Sequence, residues 1–137
     1  KNGKYAIISM CKGNEPYIVT LSYGYDDDRK ALYFHSAKSG LKIDFIKENS
    51  KVCATIIEDG GYLTGECEHK YASLVLWGSM YVVEDLEEKK HALITMIGHL
   101  EESPETVKAR LLKNDNVYAG VGILRMDIAE ITGKRGS

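Results

Sequence analysis

The residues best suited to chemistry stand together at Phe34-His-Ser-Ala-Lys-Ser-Gly-Leu-Lys42, where a strand ends in imidazole and hydroxyl groups and a helix begins at once. A helix N-terminus presents free N–H groups and partial positive charge, so an anion placed there is stabilised. Ser36 and Ser39 can add hydroxyl donors, and Lys38 and Lys42 supply charge. A phosphate suits such a pocket, because each hydrogen bond involving a charged group contributes roughly 1.5–3 kcal/mol. Spacing alone leaves a plainer alternative open, in which the serines cap the helix and the lysines are solvated. The segment is not a P-loop, since the glycine pair and the Lys-Ser/Thr order are absent.

A second cluster, Cys67-Glu-His69, invites a metal reading, with His91 and His99 as further ligands. Residues i and i+2 of a strand share a face, but no second ligand pair is evident, so a structural role is preferred. His91 and His99 lie eight apart on an expected helix and read as packing or surface residues. Trp77 and Tyr118 read as core or interface aromatics rather than substrate platforms. Cys11, Cys53 and Cys67 are odd in number and contain no C-x-x-C pair, which argues against a disulfide framework or a zinc ribbon. All three are expected to be reduced and buried.

The elements that must position these groups are mostly strands. Residues 5–10 and 16–25 are rich in β-branched and aromatic side chains, with turn chemistry at Lys12-Gly-Asn-Glu15 between them, which predicts a hairpin. Pro16 sits at the second strand's first position, where its missing N–H does least harm. The polar Asp26-Asp-Asp-Arg29 turns the chain into a third strand over 30–36. Leu41, Phe45 and Ile46 then give the spacing of a short amphipathic helix, with Ser39 as its expected N-cap. A strand over 51–58 follows, ended by an expected turn at Asp59-Gly-Gly61, and then a long apolar strand over 71–83 in which Gly78 is expected to make a bend or bulge. Residues 85–100 read as a helix, Pro104 opens a second helical piece through Leu112, residues 117–131 form a last strand, and 133–137 a polar tail.

Strong β signals around a few short helices favour a meandering antiparallel barrel over a parallel α/β sheet. The 137 residues, 44% of them apolar, fit a single domain over 1–137. A formal charge of −2 with mixed signs gives no footprint for nucleic acid or a membrane surface, so the expected partners are a small molecule and a second copy of the chain. No apolar run approaches the roughly 20 residues needed to span a bilayer and no signal peptide is visible, which points to a soluble, cytoplasmic protein. Lys1 replaces the usual methionine and a strand begins almost at once, which suggests that a segment precedes it.

Four stretches resemble, in order, the pyridoxamine 5′-phosphate oxidase-related flavoproteins, in particular their nitroimidazole-resistance (Nim-like) branch. They are Pro16-Tyr-Ile-Val-Thr-Leu21, Tyr33-Phe-His-Ser-Ala-Lys-Ser-Gly-Leu-Lys-Ile43, Lys70-Tyr-Ala-Ser-Leu74 with Gly78, and Leu124-Arg-Met-Asp-Ile-Ala-Glu-Ile-Thr-Gly-Lys134. The resemblance implies a split β-barrel homodimer with one FMN in each of two clefts at the subunit interface. By position, Tyr17, Ile18, Val19 and Thr20 would run along the isoalloxazine ring, and His35 and Ser36 would lie by the ribityl phosphate. Lys42 would pair with that phosphate, Lys38 would add charge beside it, and Ser73 would reach the flavin from a neighbouring strand. His35 is the one catalytic candidate, and a contact to the cofactor is favoured over proton donation because the flavin itself carries the redox chemistry. Leu41 and Ala72 stand where relatives carry arginine, and residues 124–137 hold no counterpart of the oxidase's substrate-binding arginine segment, which argues against oxidation of pyridoxamine phosphate. The implied activity is an FMN-dependent oxidoreductase acting on a small electron-poor acceptor such as a nitroaromatic. The alternatives are a flavin-binding or sequestering module without turnover, and a relative that binds haem or a deazaflavin.

Overall fold

A computed structural model of the protein describes residues 5–65, 68–100, 105 and 121–136. Its elements in chain order are β1 (Tyr5–Lys12), β2 (Glu15–Asp26), β3 (Ala31–Ser36), α1 (Leu41–Glu48), β4 (Lys51–Leu63), β5 (Glu68–Val82), α2 (Leu86–Leu100) and β6 (Gly122–Gly136). The six strands form a closed antiparallel barrel in the order β1-β2-β3-β6-β5-β4, as expected for the mainly-β split-barrel class. Alternation along each strand sends Ala6, Ile8, Met10, Val52, Ala54, Leu76, Met80, Leu124 and Met126 inward. Helix α1 closes one end of the barrel with Ile43, Phe45 and Ile46, and Phe45 stacks against Tyr17 of β2 at 5.2 Å between ring centroids.

Helix α2 lies on the outside, over β2 and β3. Gly24 permits this close approach: a Cβ there would stand 2.7 Å from Met96 Cα and 2.8 Å from its N. The barrel is split because two strands separate part-way along. β2 pairs with β3 only through residues 23–26, so among the described residues 15–22 have a strand on one side alone. Likewise β6 pairs with β3 through residues 122–127 and with β5 through 124–136.

The outward face formed by the middle of β2, β1, β4 and β5 is unusual. Cross-strand registers place Ile18, Ser9, Cys53 and Trp77 in one row, and Thr20, Ile7, Thr55 and Val75 in the next, with Ile57 and Ser73 beside them. No charged residue falls in these rows, although 28% of the chain is charged. Ile18, Ile57 and Trp77 on this face are all exposed.

Several sequence expectations are corrected. Gly40, not Ser39, is the N-cap of α1 and no side chain caps it; its φ of 136° is one that glycine adopts without strain. Asp59-Gly-Gly61 is a bulge inside β4, whose extra residue is accommodated by Gly61 at φ 93°, and the strand runs on to Leu63. The bend or bulge expected at Gly78 is borne out as a bulge between Trp77 and Gly78. Of the last strand expected over 117–131, residues 117–120 lie outside the described residues, and the polar tail is part of the strand: Gly133 and Lys134 pair with Leu74 and Ser73. Cys11 and Cys53 are half-exposed rather than buried, because both lie on outward positions. Of the two roles expected for Trp77, core or interface aromatic, its exposure removes the core. The second helical piece apart from Glu105, Tyr118 and Cys67 lie outside the described residues.

Candidate functional site

β3 and α1 bring the candidate residues together by direct succession. β3 ends at Ser36, whose hydroxyl donates to Ala37 O at 2.6 Å, and the chain turns through residues 37–40 into α1. The first backbone bond of the helix runs from Asp44 N to Gly40 O at 3.1 Å. With no side-chain cap, the amides of Leu41, Lys42 and Ile43 stand at the helix N-terminus without a side-chain acceptor. Lys38 is exposed and Lys42 half-buried. Lys42 precedes Phe45 by three residues and so shares its side of the helix, which places it within one turn of the ring that packs on Tyr17.

Beside α1, the first half of β2 offers its free edge. Tyr17 and Val19 face inward onto the core, while Ile18 and Thr20 face outward and are exposed. The main-chain groups along residues 17–20 therefore border the split. His35 is exposed, and among the described residues no carboxylate or carbonyl holds its ring.

A cleft of about 360 Å³ opens behind the same loop. Ser36, Lys38, Lys47, Lys89 and Glu84 line it over an apolar floor that includes Ile123. Three ammonium groups against one carboxylate make it a cationic cavity. The lysines of this cleft fit a phosphate ester, Lys42 is not among its lining residues, and the free edge of β2 fits a planar ring with polar atoms on its rim.

Ser73 is not brought to this loop. It pairs with Ile57 and Lys134 at the end of β5 remote from α1. Met80, whose N–H donates to Ser50 O just past α1, is seven residues further along, about 23 Å of strand.

The family models decide the lineage: that of pyridoxamine 5′-phosphate oxidase matches residues 1–135. The chain belongs to the pyridoxamine 5′-phosphate oxidase family. No curated protein matches the chain. Among solved structures, this oxidase-family chain is similar to a candidate 5-nitroimidazole antibiotic resistance protein from Bacteroides thetaiotaomicron, with 24% identity and a TM-score of 0.80 over 98% of this chain and 78% of that one. It is also similar to an FAD-binding protein from Mesorhizobium loti, with 22% identity and a TM-score of 0.69 over 98% and 86% of the two chains. An FAD- and haem-binding protein from Mycobacterium smegmatis shares 14% identity, with a TM-score of 0.75 over 99% of this chain and 67% of that one. These likenesses establish a shared fold.

One feature of this family member escaped sequence reading altogether. An ionic network fastens α2 to the barrel. Asp26, nearly buried, meets His91 Nε2 at 2.5 Å and accepts from Arg29 N at 3.2 Å. Burial pushes the Asp26 carboxyl up, but the hydrogen bonds from His91 and Arg29 outweigh it and hold the group below the usual carboxylate range. Glu88 accepts from Arg125 Nη1 at 2.5 Å and from the Tyr33 hydroxyl at 2.9 Å, and Arg125 Nε donates to Asp127 at 2.7 Å. Burial raises the Tyr33 phenol, which stays protonated as a donor. Among the described residues no group of metal-ligating side chains is assembled, and no helix is long and apolar enough to cross a membrane.

Proposed function

We propose that this chain binds FMN in a cleft completed by a second copy of itself, and passes electrons from the reduced flavin to a small, flat, electron-poor acceptor such as a nitroaromatic. One observation carries the reading: an uncapped helix N-terminus with Ser36, Lys38 and Lys42 stands beside the free edge of β2. The cleft behind the loop is cationic, which suits the phosphate of FMN. Main-chain groups of residues 17–20 would meet the polar rim of the ring, and Ile18 and Thr20 its flank. Membership of the oxidase family supports the flavin, and so does the fold shared with an FAD-binding protein. The fold shared with a candidate nitroimidazole-resistance protein supports the acceptor class.

Two observations favour a two-copy site. The uncharged outward face of β2-β1-β4-β5 is what an assembly buries, since interface cores are depleted of charge. Ser73, remote from the loop of its own chain, would serve the flavin held by the second copy. The flavin supplies the hydride or electrons. His35 acts as a contact to it, because a proton donor needs a partner that orients its ring, and His35 has none among the described residues. The same observation favours, as a second reading, a flavin-binding module without turnover.

The test is an absorption spectrum of the purified protein, repeated with Lys42→Ala after adding FMN. Flavin bands are expected in the wild type. Loss of one charge-assisted hydrogen bond, roughly 1.5–3 kcal/mol, should weaken FMN binding in the variant by about 10- to 150-fold. A colourless wild type that ignores FMN overturns the proposal, and haem bands would replace the flavin. Bound flavin that NAD(P)H reduces but a nitroaromatic does not reoxidise leaves the second reading standing.

A further inference from the structure

Gly122 opens β6, pairs with Ser36, and lines the cationic cleft. Its backbone does not need a glycine, because its φ is not positive. Gly13, Gly40, Gly61 and Gly65 show the opposite pattern, with positive φ and open space where a side chain would go. At Gly122 the requirement is space alone. A Cβ there would collide with the carbonyl oxygen of Ser36 and stand 2.9 Å from both C and O of Ala37. These are backbone atoms of the turn that carries the candidate phosphate donors, so no side-chain rotation relieves the overlap.

We propose that Gly122 is a positioning residue for phosphate recognition: by lacking a side chain it lets the turn at residues 36–38 settle against β6, and so makes the site prefer FMN to riboflavin. The inference rests on the flavin reading above. A methyl group at position 122 pushes Ser36 O and Ala37 away from β6. The Ser36 hydroxyl and the Lys38 ammonium then move relative to the amides of α1, and the donors no longer converge on one anion. The edge of β2 that would hold the ring belongs to another strand, which does not pair with β6, and is left in place.

The experiment compares FMN and riboflavin binding to wild type and Gly122→Ala by fluorescence quenching. Wild type should bind FMN more tightly than riboflavin. In the variant, FMN affinity should fall by about tenfold or more, while riboflavin affinity changes by less than about twofold. A purely structural defect would weaken both ligands equally, and that result overturns the proposal, as does an unchanged FMN affinity. A wild type that binds riboflavin as tightly as FMN overturns the inference while leaving flavin binding intact, and one that binds neither overturns the flavin reading itself. Should the variant not fold, amide spectra of the wild type decide. FMN, but not riboflavin, should shift the signals of Ser36, Ala37 and Gly122 together, and a Gly122 signal indifferent to FMN overturns the proposal.

Discussion

Replacing Ile57 by glutamate tests the proposed dimer separately from the barrel. Ile57 projects from β4 onto the uncharged face and is 49% exposed in the single chain. In an isolated barrel a substitution at such a surface position changes stability by about 0.5 kcal/mol or less. In a dimer that buries the face, the account is different. Ile18 at 63%, Ile57 at 49% and Trp77 at 41% exposure each retain about half of their surface for a partner. Full burial of a large apolar side chain is worth about 1.5–3 kcal/mol, so the remainder comes to about 1 kcal/mol each, and about 6 kcal/mol for three such residues on both subunits. An unpaired carboxylate carried into that contact by each subunit costs several kcal/mol per ion, enough to cancel the sum. Ile57→Glu should therefore weaken self-association by about a hundredfold or more while leaving the far-ultraviolet circular dichroism unchanged. Sedimentation velocity across micromolar concentrations, with and without FMN, reads this directly. A variant that dimerises as tightly as wild type refutes the placement of the interface, and a monomeric wild type that still binds FMN refutes the two-copy site.

Asp26→Asn should lower stability at neutral pH by about 1–3 kcal/mol, since it replaces the charged acceptor shared by His91 and Arg29. The folded carboxyl is held below its unfolded value of about 3.9, so its contribution is complete above that pH and is lost as pH falls through the lower folded value. The difference in Tm between the two proteins should persist from neutral pH to about pH 5 and close in stronger acid; a difference that widens on acidification would contradict the assignment. His35→Ala should weaken FMN binding yet leave the shape of the pH profile for flavin reoxidation as in wild type. A profile that loses a limb would make His35 the proton donor.

β1 and β2 were legible because β-branched and aromatic residues are dense in them, β3 because it is a short apolar run after a polar turn, and α2 because of its Leu93, Ile97 spacing. Composition failed where polar residues pair on an open edge. Lys134 and Arg135 look like a solvated tail, but strand pairing is a backbone property and only their side chains meet solvent. Asp59-Gly-Gly61 carries the residues of a hairpin turn, and only the pairing on either side shows that the chain goes straight on. The residues at the β3–α1 junction were legible because they are contiguous. The ionic network was not, since Asp26 and His91 are 65 residues apart and Tyr33 and Glu88 are 55 apart. Nor could spacing show how far Ser73 lies from the loop, or that outward residues of four strands add up to one uncharged surface. Both follow from register.

The order of strands around the barrel also dictates when it can close. β6 lies between β3 and β5, yet both neighbours precede it in the chain, so Ala31 finds Asp127 only after α2 and everything before it has been made. Until then β3 and β5 each present a bare edge. Contacts this distant in sequence slow folding, and bare edges recruit other strands while they wait. A ribosome holding the chain at α2 therefore carries an open sheet rather than a barrel, and in that interval the nascent chain is most in need of chaperone cover.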